Sequence, residues 1–539
     1  MNNTYFQSRR SAVMARRGAV ATSQPLAAQA GLQMLIQGGN AVDAAVAAAA
    51  ALNVLEPMST GIGGDMFALI WDSQGKRVAA LNGSGRSAAA ANAMDVRKKG
   101  YRAVPASGPH AAFSVSTPGA VHGWQTALER YGRMTLREVL APAIHYALDG
   151  YAVSEVITHQ WQAAERQLAA RPSGLELLPG GRAPRCGEVV RLPTLGRTLQ
   201  AIAEGGAPAF YHGEIAQKIA AFVQAEGGWL TTDDLAEHGS TWDEPICTDY
   251  RGVTVWECPP NGQGIAALMA LNIVEGFDLP SMRPQSADVY HCLIEAMRLA
   301  FADVLQYVAD PRVVDVPVAA MLSKTYAAGR RQLIDPETAL QLVSFGELPP
   351  AGDTVYVTAV DGQGNACSLI NSLYHSFGSG LVVPTTGIAL QNRGALFSLD
   401  PDHPNCIQGR KRPYQTIIPG MATRGGELWL SFGVMGGFQQ PQGHLQVISN
   451  MVDFGLDAQR ALDALRFHVS VPGKGEVKLE AGVSAETATG LRKKGHRVKI
   501  IDGYERTLFG GGQVISRDAE TGVLTAGSEP RKDGAAVGW

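Results

Sequence analysis

The chain has little cysteine. Six residues in 539, at 186, 247, 258, 292, 367 and 406, form no CxxC pair and no spacing that would gather thiolates around a metal. That usage fits a reducing compartment, and we expect a cytoplasmic protein. Charge of one sign is also missing. Lys and Arg number 46 against 49 Asp and Glu, a formal net charge of −3, so bulk electrostatics draws the chain to neither nucleic acid nor an anionic membrane. No apolar run is long enough to span a bilayer. The longest, Ala41 to Leu55, is alanine-rich, carries Asp43 and predicts a buried helix. Arg9-Arg10 could open a twin-arginine leader, but Arg16-Arg17 breaks any apolar core behind it, so no export signal is expected. The twelve histidines show no HExxH or paired metal spacing. No GxSxG elbow has plausible partners, and Gly61-x-Gly63-Gly64 follows a helix pattern without completing a dinucleotide fingerprint. We therefore expect no metal and no cofactor.

What is present is an ordinary soluble composition, 45% apolar and 18% charged, on a chain long enough for a large core. The 62 glycines gather in loops such as Gly61–Gly64 and Gly510–Gly512. Such loops either bring backbone close to something or make tight turns. Residues 18–56 read as a helix, a Gly-Gly-Asn turn and a second, buried helix. Met66–Trp71 and Val78–Leu81 read as paired strands. The pattern from Leu136 to Arg330 is mostly helical, interrupted by a strand at Arg251–Trp256. After Thr354 it turns to strands at Val355–Val360, Ala366–Ser372, Glu427–Phe432 and around Val514-Ile515, with one amphipathic helix at Pro441–Met451. Sheets from both halves with helices outside imply a layered α+β architecture.

One segment carries candidate chemistry. Leu348-Pro349-Pro350-Ala351-Gly352-Asp353 reads as a loop, and a strand begins at Thr354. Cleavage between Asp353 and Thr354 would leave a threonine bearing a hydroxyl nucleophile and a free amine to act as its base. The bland alternative is a β-forming threonine at a strand start. Around it, in order along the chain, stand Gly18-Ala-Val-Ala-Thr-Ser-Gln-Pro25, Gly38-Gly-Asn-Ala-Val-Asp-Ala-Ala-Val46, Glu56-Pro57, Gly61-Ile-Gly-Gly64, Pro118-Gly119-Ala-Val-His-Gly-Trp124, Asp310-Pro311-Arg312, Lys411-Arg412-Pro413, Gly436-Gly437 and Gly510-Gly511-Gly512-Gln513. Together these resemble the γ-glutamyltransferase family of N-terminal-nucleophile hydrolases across nearly the whole chain.

The resemblance implies a four-layer αββα sandwich and self-cleavage into a large subunit, 1–353, and a small one, 354–539. The two would form one intertwined catalytic domain, with a dimer of such heterodimers as an allowed assembly. It gives Thr354 the roles of nucleophile and base, Ser372 that of a second hydroxyl orienting it, and Gly436 and Gly437 that of oxyanion donors. Arg86 becomes the grip on the substrate carboxylate. Read alone, these residues are a strand serine, a turn and a surface arginine. Thr358 fits a neighbouring strand position and is expected to be structural.

Four departures matter. Where the family binds a substrate ammonium with an asparagine, a glutamine and an acidic residue, this chain has Tyr374, Arg393 and Leu396. Where it has a serine pair, this chain has Gln415-Thr416. The segment from Phe397 to Lys411 is short for a transferase lid, and Ser87 stands where glutamate is common. A substrate ammonium would face a cation with no counter-ion, an expensive arrangement. We therefore expect a small anionic amide without an α-amine, of the oxamate type that relatives hydrolyse in purine-nitrogen catabolism, with release of ammonia. A glutathione hydrolase or γ-glutamyl transferase is the alternative enzyme and a side-chain acylase the next. A catalytically silent binding homologue is the alternative from another class.

Overall fold

The computed structural model describes residues 10–340, 353–470 and 476–539. Two seven-stranded antiparallel sheets form its centre. The first runs in the order Ala535–Gly538, Gly18–Thr22, Asp353–Asp361, Ala366–Tyr374, Asp65–Asp72, Arg77–Gly83, Thr241–Asp243. The second runs Val13–Ala15, Leu524–Ser528, Gly511–Arg517, Glu427–Met435, Gly420–Arg424, Val253–Glu257, Ile246–Tyr250. Phe67, Tyr356, Ile370, Met421, Met435 and Ile515 fill the space between the sheets.

Alternation along Asp353–Asp361 decides which side chain faces which layer. Tyr356 points between the sheets. Val355, Val357 and Ala359 point outward into a helical layer built on Ala41–Leu55. Every residue of that helix is buried, which small alanine side chains permit by letting backbones approach closely. A Cβ on Gly31 of the neighbouring helix Pro25–Ile36 would stand 2.8 Å from the Ala44 carbonyl oxygen. Asn40 and Asp43 cap the buried helix reciprocally. Helices Gly264–Val274, Ala287–Tyr307 and Gln439–Val452 cover the second sheet through another core. The four-layer αββα sandwich expected from the sequence is thus the fold. Among the described residues no helix is long and apolar enough to cross a membrane.

The sequence reading errs at the start of the chain. Gly18–Thr22 is a strand, and all five of its residues are buried. A strand covered on both faces has no polar alternation to betray it, so its small residues read as helical. Ile246–Tyr250 and the edge strand Thr241–Asp243 also escaped the pattern. Of the segment read as a loop before the expected cut, Leu348–Asp353, residues 348–352 lie outside the described residues. Asp353 opens a strand opposite Tyr374.

Candidate active site

Thr354 is buried at the beginning of its strand. Asp353 pairs with Tyr374 but Val355 pairs with Asn371, so Ser372 and Leu373 both stand opposite Thr354. Such a bulge re-aims a side chain. Here Ser372 Oγ lies 3.0 Å from Thr354 Oγ1. The Ser372 oxygen also accepts the Tyr374 N–H at 2.8 Å.

The strand Glu427–Met435 faces this one across the sandwich. Thr358 Oγ1 donates to Ser431 Oγ at 2.6 Å. A Cβ on Gly433 would meet the Tyr356 ring at 2.5 Å. Two-residue steps along both strands then set Thr354 opposite Met435, and the chain turns immediately through Gly436 and Gly437 at φ +127° and +56°. The carbonyls of this turn accept Gln439 N, Gln440 N and Gln263 Nε2. Its two N–H groups donate to no described residue. They precede the N-terminus of helix Gln439–Val452, whose dipole favours negative charge there.

Arg393, on the short 3₁₀ turn Arg393–Leu396, is fully buried. Its Nη2 donates to Ser372 Oγ at 3.0 Å and its Nη1 to Thr416 Oγ1 at 2.5 Å. The guanidinium lies 4.6 Å from the centre of the Tyr374 ring. Tyr374 itself sits at φ +80°, unusual for an aromatic residue and of the kind that holds about 1–3 kcal/mol of strain at functional sites.

An acidic partner exists for Arg393 after all, which corrects the expectation that it has none. Asp65, opposite Ser372 in the sheet, is buried and attracts Arg393 electrostatically. It accepts Gly85 N, Gln391 Nε2 and Gln415 Nε2, each at 2.9 Å. Burial raises the Asp65 carboxyl to about 6, against the pull of Arg393 and those three bonds. Burial likewise lowers Arg393 to about 10. Gln415 thus serves Asp65, and Thr416 serves Arg393.

A pH signature follows for stability. Between about pH 4 and 6 the folded Asp65 keeps a proton that the unfolded chain, at 3.8, has released. Folding binds a proton in that window, so stability falls as pH rises through it. In urea unfolding, Asp65→Asn should flatten this part of the profile, with an effect on the order of 2 kcal/mol between pH 4 and 7. An unchanged slope would remove Asp65 as its source.

Arg86 follows Gly85, whose N–H is bound to Asp65. It lines a cavity of about 230 Å³ with Ser87, Asp234, Glu237, His238, Arg312 and Arg410. The turn that sends Gly85 N to Asp65 carries the Arg86 carbonyl to Thr117 N. Among the described residues the buried Arg86 Nε has no hydrogen-bond partner. Burial, and then Arg312, lower its pKa. The sequence reading gave Arg86 the grip on the substrate carboxylate and Arg393 the place of an ammonium-binding residue; Arg86 lines this cavity, and Arg393 is bound to Ser372 and Thr416. That reading also missed Asp65 and Gln391. The available signal was a charged residue opening the apolar run Met66–Trp71. A second cavity of about 260 Å³, walled by Leu305, Val308, Leu396, Phe397, Leu399 and Tyr414 among others, lies beside the Arg393 turn.

Of the histidines, His291, His496 and Glu295 meet in the core, although no spacing announced it. The rings are joined Nδ1 to Nε2 at 2.8 Å, and His291 Nε2 meets the Asp335 carbonyl at 2.8 Å. Arg298 holds Glu295. This is a hydrogen-bond chain fastening residues 335–340, with Leu340 N also bound to Glu295.

Comparison with known proteins gives a consistent result. The model of the family described as gamma-glutamyltranspeptidase matches residues 27–539. The chain is 38% identical over 533 residues to the glutathione hydrolase-like YwrD proenzyme of Bacillus subtilis, covering 98% of this chain and 99% of that protein. It is 34% identical to the oxamate amidohydrolase proenzyme of Klebsiella pneumoniae over 95% of this chain and 97% of that one. Among solved structures, the cephalosporin acylase from Bacillus halodurans superimposes with a TM-score of 0.92 at 46% identity, covering 98% and 97% of the two chains.

Proposed function

The chain belongs to the gamma-glutamyltranspeptidase family, and from that premise we propose that it is a self-processing amidohydrolase whose nucleophile is Thr354. The observation that carries this reading is the 3.0 Å contact between the Thr354 and Ser372 hydroxyls, backed by a buried guanidinium. In the precursor, Thr354 Oγ1 attacks the Asp353 carbonyl. The C–N bond breaks, the acyl group moves to oxygen as an ester, and water releases Asp353 as the end of residues 1–353. Thr354 begins residues 354–539 with a free amine, whose ordinary pKa is about 7.7–8.0. That amine takes the hydroxyl proton as Oγ1 attacks the substrate amide. The oxyanion turns to the N–H groups of Gly436 and Gly437, where each well-placed donor is worth roughly 3 kcal/mol. The proton passes to the departing nitrogen, and water cleaves the acyl ester.

For substrate we infer a small anionic amide of the oxamate class, with Arg86 receiving its carboxylate through a fork suited to that shape. Several features support this. Arg393 would repel a substrate ammonium, and Asp65 is already enclosed by Gly85, Gln391 and Gln415. A relative that matches 95% of the chain is named for that activity. Six free thiols suit a cytoplasmic setting, and the processed pair would be a heterodimer. Ammonia release from oxamate should exceed p-nitroaniline release from a γ-glutamyl anilide by at least tenfold in kcat/KM. Turnover of the anilide alone would transfer the chain to the glutathione hydrolase reading. A second reading, an acylase, is favoured by the apolar cavity beside Leu396 and by the likeness to a cephalosporin acylase. Preferential hydrolysis of a longer N-acyl amide in the same assay would select it.

A further inference from the structure

The cavity beside Arg86 holds a second polar side chain that no motif announced. His238 lines it and is buried. Among the described residues neither of its ring nitrogens has a hydrogen-bond partner. Buried nitrogens are nearly always satisfied, so two on one ring call for a ligand or ordered water. We propose that His238 and Arg86 together form a carboxylate site, in which the imidazole N–H is the second donor to the substrate anion. The inference rests on the reading of Arg86 as the grip on that carboxylate.

The first support is charge. Arg86, Arg312 and Arg410 line the cavity, and the last two are answered. Arg410 meets Glu237 at 2.8 Å and Arg312 meets Asp310 at 3.2 Å. Asp234, also on the wall, directs its oxygens to the N–H of Ala89 and to the N–H and hydroxyl of Thr231. Glu237 and Asp310 attract Arg86 from a distance, yet each is held by another arginine. Arg412 adds positive charge nearby, with its own N–H groups on oxygens of Ser84, Thr241 and Gly239. The Arg86 fork thus faces the cavity without an acid of its own, a setting that suits a carboxylate.

The second support is the state of the ring. Burial first, then His122, Arg412 and Arg86, push the His238 pKa well below its ordinary range. The imidazole is therefore neutral, with one N–H to donate. A carboxylate has two oxygens and can take that N–H and Arg86 together. The ring is also fixed. It stacks on Tyr211 with centroids 5.2 Å apart and meets the His122 ring edge-on at 5.4 Å. A Cβ on Gly119 would stand 3.1 Å from its Cε1. With His122 and Tyr211 it also walls a cavity of about 180 Å³, so the two sides of the ring must be told apart.

Two links then join the Arg86 cavity to the strand of Ser372. Gly85 N is bound to Asp65, which pairs with Ser372. Gly119 N donates to the Gly64 carbonyl, and Gly64 packs on the Ser372 carbonyl.

The test separates donor from shape. His238→Phe keeps a ring for Tyr211 to stack on and removes both nitrogens. With oxamate it should raise KM about tenfold and leave kcat within about twofold, since the contact serves ground and transition states alike. His238→Asn and His238→Gln restore an amide N–H near the Nδ1 and Nε2 positions, and one of them should recover most of the loss. A KM unmoved by phenylalanine, or no recovery in either amide variant, would overturn the proposal. A binding arm needs no turnover. Oxalate titrated into protein labelled with ¹⁵N-histidine should shift the His238 ring signals, identified by their loss in His238→Phe, and should not shift them in Arg86→Gln. Unmoved signals would mean that the ring serves water alone, and equal shifts in Arg86→Gln would put the anion on the other side of the ring. Either result also overturns the proposal. If wild type hydrolyses no oxamate while oxalate moves His238 as expected, the substrate reading fails and the carboxylate site stands.

Discussion

Thr354→Ala should remain one chain of 57.0 kDa on a denaturing gel, while wild type separates into two fragments with the smaller beginning at Thr354. Turnover of any amide should fall by about 10⁴ or more, the scale seen when a covalent nucleophile is removed. The alanine lacks the oxygen that Ser372 meets at 3.0 Å. The same gel separates the enzyme from a silent homologue. An uncut wild type without activity supports binding alone, whereas cleavage of the alanine variant at the same bond would remove Thr354 from the chemistry. Thr354→Ser retains the oxygen and should still cleave.

Gly64→Ala should slow self-cleavage by about a hundredfold or more. A Cβ there would stand 2.3 Å from the Ser372 carbonyl oxygen, and both neighbours are backbone, so neither can rotate away. The Gly64 carbonyl is itself held by the N–H groups of Gly119 and Ala120. Relief must come from displacing the end of strand Ala366–Tyr374, which carries Ser372. Misplacement by about 1 Å is enough for a loss of that size. Overpacking should also lower stability by roughly 1–3 kcal/mol. Timed gels of the refolding precursor with a thermal melt check both effects. Cleavage at the wild-type rate would mean that the Ser372 strand end tolerates displacement.

Much of this architecture is legible in the residues, because periodicity reports on packing. Met66–Trp71 and Val355–Val360 declare strands, and Ala41–Leu55 a buried helix. Gly18–Thr22 does not, because burial on both faces erases the alternation that identifies a strand. At the site, Thr354, Ser372 and the Gly436-Gly437 turn could be marked through the family resemblance, whose motifs follow one another along the chain. The Asp65–Arg393 pair could not. Its members are far apart in sequence and are joined by sheet register, opposite Ser372 on one side and through its hydroxyl on the other. Arg86 shows the converse. Its identity was visible, but the direction of its side chain depends on Gly85 turning its N–H into Asp65.

The order of strands in the first sheet has a final consequence. Gly18–Thr22 lies between Ala535–Gly538 and Asp353–Asp361, so a segment that precedes the proposed scissile bond is clasped by Ala535–Gly538 and by Thr354–Asp361, which follow it. Severing that bond would leave the pieces interleaved like the fingers of folded hands. Once melted apart, they would have to find each other by diffusion, a search the continuous precursor never makes. Assembly is therefore easy before the cut and difficult to repeat after it, and the molecule's durability thereafter rests on how slowly it opens.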